Sequence, residues 1–257
     1  MRSYLWLKGY FPTEEPPDLK TIGVLLVSAL SMIVLYYFGH HSSFRYIGFL
    51  FDAVGWGDDM DYAFSDSPYR KLYRLVWWAM VCFVAYFLIP AFYIRLVLKE
   101  KLRDYGLKIR GITNGWKIYA LLLAIVFPFV IGASFEKSFQ QTYPFFLPGS
   151  GEPLFPALWY WELFYALQFF SLEFFFRGFM IHGTRHRFGI YSVFVMVIPY
   201  CMIHFQKPLP ETIGSIVAGI VLGFLSYRTC SVWMGAALHV MVAISMDYLS
   251  LWHQGLL

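Results

Sequence analysis

Charge is the scarcest thing in this sequence: Asp, Glu, Lys and Arg together make up 14% of its 257 residues, where a soluble domain carries about a quarter. That deficit excludes an ordinary soluble domain. With 59% hydrophobic residues and a mean hydropathy of +0.56, the chain reads as a polytopic helical membrane protein. Cysteine is nearly absent too. Cys82, Cys201 and Cys230 lie in or beside apolar runs with no CxxC spacing, which excludes a disulfide framework and a thiolate zinc site. No phosphate-cradling glycine loop and no low-complexity tract occur. The net charge of +4 comes from basic residues at the edges of apolar runs, not from one continuous basic face. Nucleic acid is therefore not an expected partner, whereas a lipid bilayer is.

What is present is apolar length. Runs at about 22–39, 73–98, 116–135, 157–182, 190–205, 212–227 and 231–251 approach the roughly 20 residues that cross hydrocarbon. They predict an all-α bundle of about seven membrane-spanning helices. The first run has no small-residue cleavage site after it, so it is expected to remain as an anchor and not to be removed as a signal peptide. The chain divides into a cytoplasmic N-terminal segment (1–21), three helices with their loops (22–150) and a four-helix region (151–257). Loop 99–117 is rich in Lys and Arg, as is loop 183–189, and Arg228 precedes the last run, whereas loop 40–72 carries Asp58, Asp59, Asp61 and Asp66. The alternation places the basic loops and the N-terminus in the cytoplasm, with Arg70, Lys71 and Arg74 running against it. Ser215, Gly219 and Gly223, four apart, predict close approach of a neighbouring helix to the sixth.

Against that background a few ionisable residues stand out inside the spans: Glu162, Glu173 and Arg177 in the fourth, His204 at the end of the fifth, His239 and Asp247 in the seventh. An Asp or Arg at the centre of a span costs about 2.5–3.5 kcal/mol on insertion scales, so such residues face the bundle interior and are functional candidates. Glu173 and Arg177 are four apart and share a helical face, as an ion pair would. At about 1.5 Å per residue, Glu173 and His204 each lie roughly 21 Å from the cytoplasmic ends of their helices, and His239 roughly 12–16 Å. A carboxylate and two imidazoles meeting at one level would suit water activation, with one group accepting a proton and another donating to the oxyanion. The competing reading is a buried structural network. His182 and His186 are also four apart, but no glutamate follows the first, so the zincin pattern is absent and they read as interfacial anchors. After His204, Pro208 and Pro210 stiffen a turn and Glu211 suits the start of the next helix, leaving Lys207 and Glu211 as outer supports of any site.

The run Glu173-Phe-Phe-Phe-Arg177-Gly178, then Tyr200-Cys-Met-Ile-His204, then Trp233-Met-Gly-Ala-Ala-Leu-His239 resembles the three motifs of the CPBP intramembrane protease family. That family includes the CAAX prenyl endopeptidases and the bacteriocin-processing or Abi proteins, and its motifs are roughly Glu-Glu-x-x-x-Arg, Phe-x-x-x-His and His-x-x-x-Asn. The resemblance covers about 160–250 and makes 151–257 the expected catalytic region. It implies a helical membrane endopeptidase acting on a membrane-associated peptide or protein, in a bacterial cytoplasmic membrane, with no cofactor and no required metal. Mapped onto this chain it gives Glu173 as the base, His204 as its assistant, His239 as oxyanion donor and Arg177 as the holder of Glu173. Two positions depart. The first glutamate of the motif is Leu172, and the asparagine is Ala243. Glu162 lies about 16 Å along the helix from Glu173 and cannot replace Leu172, while Asp247, one turn beyond Ala243, is the candidate polar partner for His239. Two other readings remain: a non-catalytic relative acting as scaffold, immunity or maturation protein, and a small transporter with a proton relay, which no repeated halves support.

Overall fold

The computed structural model describes residues 17–110, 113, 115–149 and 152–257, so the segment 1–21 lies almost wholly outside the described residues. In chain order the helices are α1 (Leu19–Phe38), α2 (Phe44–Asp52), α3 (Gly57–Ser65), α4 (Arg70–Val97), α5 (Trp116–Ser134), α6 (Lys137–Thr142), α7, α8 (Tyr191–Met202), α9 (Leu209–Thr229) and α10 (Trp233–His253). Helix α7 runs from Ala157–Glu173 through a π-helical stretch, Phe174–Met180, into Ile181–Phe188. The fold is an all-α polytopic bundle. The acidic loop after α1 is itself partly helical, forming α2 and α3.

Among the described residues five helices, α1, α4, α5, α9 and α10, are long and apolar enough to cross a membrane. The sequence reading has seven spans, and the difference falls on α7 and α8. Helix α8 is only 12 residues long. Helix α7 is long, but Gln168, Glu173, Arg177 and His182 lower its hydropathy. It tolerates them because lipid does not touch that stretch: every residue from Ser171 to Thr184 is buried. Helices α4 and α10 pack on its first half, and α1, α8 and α9 on the remainder. Around it the aromatic residues form the core, with Phe174, Phe175, Phe176 and Phe179 fully buried beside Tyr86, Tyr105 and Tyr200. These aromatics of α7 are thus helix packing.

The expected small-residue contact is present. Gly219 and Gly223 of α9 face α8 so closely that a Cβ on Gly223 would lie 2.7 Å from Val193 Cγ1, and one on Gly219 3.0 Å from Tyr200 Cδ1. This contact holds Tyr200, and the turn that follows it, against α7. Helix α1 is fastened by polar groups at its first turn. Asp18 caps it, accepting from Lys20 N and Thr21 N, and its Oδ2 lies 2.6 Å from His186 Nε2 at the end of α7. Lys20 Nζ donates to both Glu100 oxygens at 2.8 Å, and Tyr105 OH donates to the same carboxylate. Burial alone would raise the Glu100 carboxyl, but these two donors outweigh it and hold it below the usual carboxylate value.

Candidate active site

Helix α7 presents Glu173 and Arg177 one turn apart on one face, and their side chains meet with Nη1 3.2 Å from Oε1, exposed by 0% and 1%. The Arg177 guanidinium lies 3.8 Å above the centre of the Tyr200 ring, so its charge has a carboxylate on one side and a π-face on another. From α10, His239 Nδ1 approaches the same Glu173 oxygen at 2.9 Å, while its ring packs on Phe169 with centroids 4.4 Å apart. Glu173 Oε2 has no hydrogen-bond partner among the described residues and faces Gly235, where a Cβ would stand 3.0 Å from it. Ser226 Oγ donates to the Arg177 carbonyl at 3.0 Å, tying α9 to the π-helical stretch.

His204 follows the end of α8, in the turn that leads to α9. Its Nδ1 is 2.8 Å from the Tyr200 carbonyl oxygen. A carbonyl only accepts, so Nδ1 carries the proton and the neutral ring offers Nε2 as a bare lone pair. The same reasoning fixes His239. An ionised carboxylate only accepts, so His239 Nδ1 donates to Glu173, and its Nε2 is an acceptor in the neutral ring and a donor in the imidazolium.

Both imidazoles border one cavity of about 940 Å³. Leu172 and Ala243 border it too, so the two departures from the family pattern stand on the cavity wall. Glu173 and Arg177 do not; they sit behind His239 and Tyr200. Glu173, expected as the base, thus does not itself border the cavity and reaches it through His239. Ile125 and Phe129 of α5 and Val217 of α9 line the cavity and are also exposed on the outer surface, so it opens between these two helices. Elsewhere on its wall Lys207 Nζ donates to Tyr143 OH at 2.8 Å, and Tyr143 OH donates to Glu211 at 2.9 Å. Lys207 also lies 4.4 Å from the Tyr143 ring centre and 4.2 Å from that of Phe145.

The two remaining carboxyls lie apart from this group. Asp247 accepts from Phe145 N at 3.3 Å and from Trp161 Nε1 at 3.2 Å, so the expected pairing with His239 gives way to a contact of α10 with the opening of α7. Eight residues of α10, about 12 Å, separate the two. Glu162, on that first stretch of α7, is buried with neither oxygen hydrogen-bonded among the described residues. No group of three or more His, Cys, Asp and Glu side chains among the described residues is placed to hold a metal ion. Sequence reasoning gave no role to Gln168, and named Tyr200 only as the opening residue of the second motif. The signal for Gln168 is its place in an apolar run one turn before Leu172; that for Tyr200 is its place four residues before His204.

Residues 154–245, from just before α7 to within α10, match the family model described as type II CAAX prenyl endopeptidase Rce1-like. No curated protein and no solved structure matches the chain. The matched residues include Glu173, Arg177, His204 and His239, together with both departures at Leu172 and Ala243. This Rce1-like domain lies on the helices that build the cavity, and it supports a place for the chain in the CPBP family.

Proposed function

We propose that the protein is an intramembrane endopeptidase that hydrolyses a peptide bond of a membrane-associated substrate at the cavity between His204 and His239. The observation that carries this is the fixed tautomer of His204, whose Nδ1 is held by the Tyr200 carbonyl at 2.8 Å, leaving Nε2 as a base on the cavity wall. In this reading His204 Nε2 takes a proton as water oxygen bonds to the carbonyl carbon, and the carbonyl π-pair moves onto oxygen. A protonated His239 donates through Nε2 to that oxyanion. When the C–N bond breaks, the proton on His204 passes to the leaving amine, and acid and amine are the products. Glu173 is the positioning carboxylate: it accepts from His239 Nδ1, fixes the orientation of that ring, and is itself held by Arg177. No step is routed through a metal.

One observation favours the other reading, a non-catalytic membrane scaffold. Leu172 and Ala243 put apolar groups on the cavity wall where the family has a glutamate and an asparagine. The test is a library of lipid-anchored peptides incubated with the protein in nanodiscs and read by mass spectrometry, with a chelator control. Cleavage that survives chelation and falls by about 10²-fold or more in His204→Gln supports the endopeptidase. An intact library after incubation with well-folded wild type would move the assignment to the scaffold.

A further inference from the structure

We propose that Gln168 supplies the side-chain amide that is missing at Ala243 and donates a hydrogen bond to the oxyanion in the cavity. The inference rests on the endopeptidase reading above. Gln168 is 4% exposed and lines the same cavity as His204, His239, Leu172 and Ala243. It stands on α7 four residues before Leu172, about 6 Å along the helix and on the same face. Ala243 packs in one apolar cluster with Tyr165 and Phe169, the α7 residues on either side of Gln168. His239, one turn before Ala243 on α10, rests on Phe169. An amide at 168 and an amide at 243 would therefore serve the same part of the cavity from two facing helices.

Packing does not account for the residue. A leucine or methionine would fill the same volume without a polar end, and the Gln168 side-chain oxygen is buried with no hydrogen-bond partner among the described residues. A buried amide is retained against such a cost where its N–H groups have work to do. Its chemistry also suits the role. An amide donates without carrying charge, so it stabilises a developing oxyanion whatever the protonation of its neighbours. Asp247, the acidic alternative, is ionised an acceptor only, and both its oxygens are already engaged by Phe145 and Trp161.

The experiment takes the best-cleaved peptide from the library and measures kcat and KM in nanodiscs for wild type, Gln168→Leu, Ala243→Asn and the double variant. Loss of one oxyanion donor is expected to lower kcat by about 10²–10³-fold with little change in KM. Ala243→Asn in the Gln168→Leu background should restore at least about tenfold of that loss, a rescue that a packing role would not give. Should Gln168→Leu not fold, Gln168→Met, close in volume, takes its place. A kcat within about twofold of wild type, a loss confined to KM, or a missing rescue would overturn the role of Gln168 and leave the endopeptidase standing. Wild type that cleaves no peptide in the library would instead remove the endopeptidase reading and this inference with it.

Discussion

Glu173 and Arg177 show how one substitution can disable a site without touching its cavity. Both side chains are buried, and each is the other's counter-charge at 3.2 Å. Removing one partner of such a pair leaves an uncompensated buried charge and costs about 3–5 kcal/mol, whereas replacing both by apolar residues is far milder. We therefore expect Glu173→Leu to destabilise the protein by that amount and Glu173→Leu/Arg177→Leu to recover most of it. Thermal unfolding in a fixed detergent reads both, with Arg177→Leu alongside, and a double-variant loss equal to the sum of the two single losses would show that the pair is not coupled. A second residue-scale expectation concerns Leu172. Since its side chain borders the cavity with the two imidazoles, the proposed mechanism has Leu172→Glu place a carboxylate beside the attacking water, and kcat should rise by about tenfold or more. A fall would mean that the apolar wall is needed for the substrate. The Glu173–Arg177 contact was legible in the sequence because four residues make one turn. The His239 contact was legible only as a matching depth. The withdrawal of Glu173 behind His239 was not legible, because spacing along α7 says nothing about which side of the helix the cavity occupies.

At the scale of elements, hydropathy located α1, α4, α5, α9 and α10, because their outer faces meet lipid and must be apolar. It served α7 less well for a physical reason: a helix surrounded by protein is released from the lipid requirement, and its polar residues are what the fold was built to enclose. The same logic explains the close seam between α8 and α9. There the glycines let α9 press Tyr200 onto the Arg177 guanidinium, and through the Tyr200 carbonyl the seam also sets His204. Gly223→Leu, whose added carbons would meet Val193 and Met196, should cost about 1–3 kcal/mol by overpacking. It should also lower activity beyond that loss, since the seam spreads and His204 moves with Tyr200. If Gly223→Leu unfolds earlier yet cleaves at the wild-type rate when fully folded, the seam supports stability alone.

Across the whole molecule, the first helix is joined to the rest through carboxylates as well as through apolar packing. Glu100, after α4, grips Lys20 of α1 and Tyr105, while Asp18, the cap of α1, reaches His186 at the far end of α7. Burial would raise both carboxyls, but Lys20 and Tyr105 at Glu100, and Thr21 ahead of His186 at Asp18, outweigh it, so each sits below its ordinary value of 4.5 for Glu100 and 3.8 for Asp18. A carboxyl with a lowered pKa in the folded state binds fewer protons than in the unfolded one. Its stabilisation is therefore complete at pH well above the ordinary value and is lost as pH falls through the lowered one. The melting temperature of the wild type should thus hold from pH 7 to about 5 and decline below that. Glu100→Gln and Asp18→Asn should start lower at pH 7, because the Glu100–Lys20 ion pair and the hydrogen bonds to the Asp18 carboxylate are lost, and decline less on acidification. The double variant should be the flattest of all. Unfolding curves at stepped pH, in one detergent and at constant ionic strength, make the comparison, and parallel slopes for wild type and double variant would place the acid sensitivity in other carboxyls of the chain.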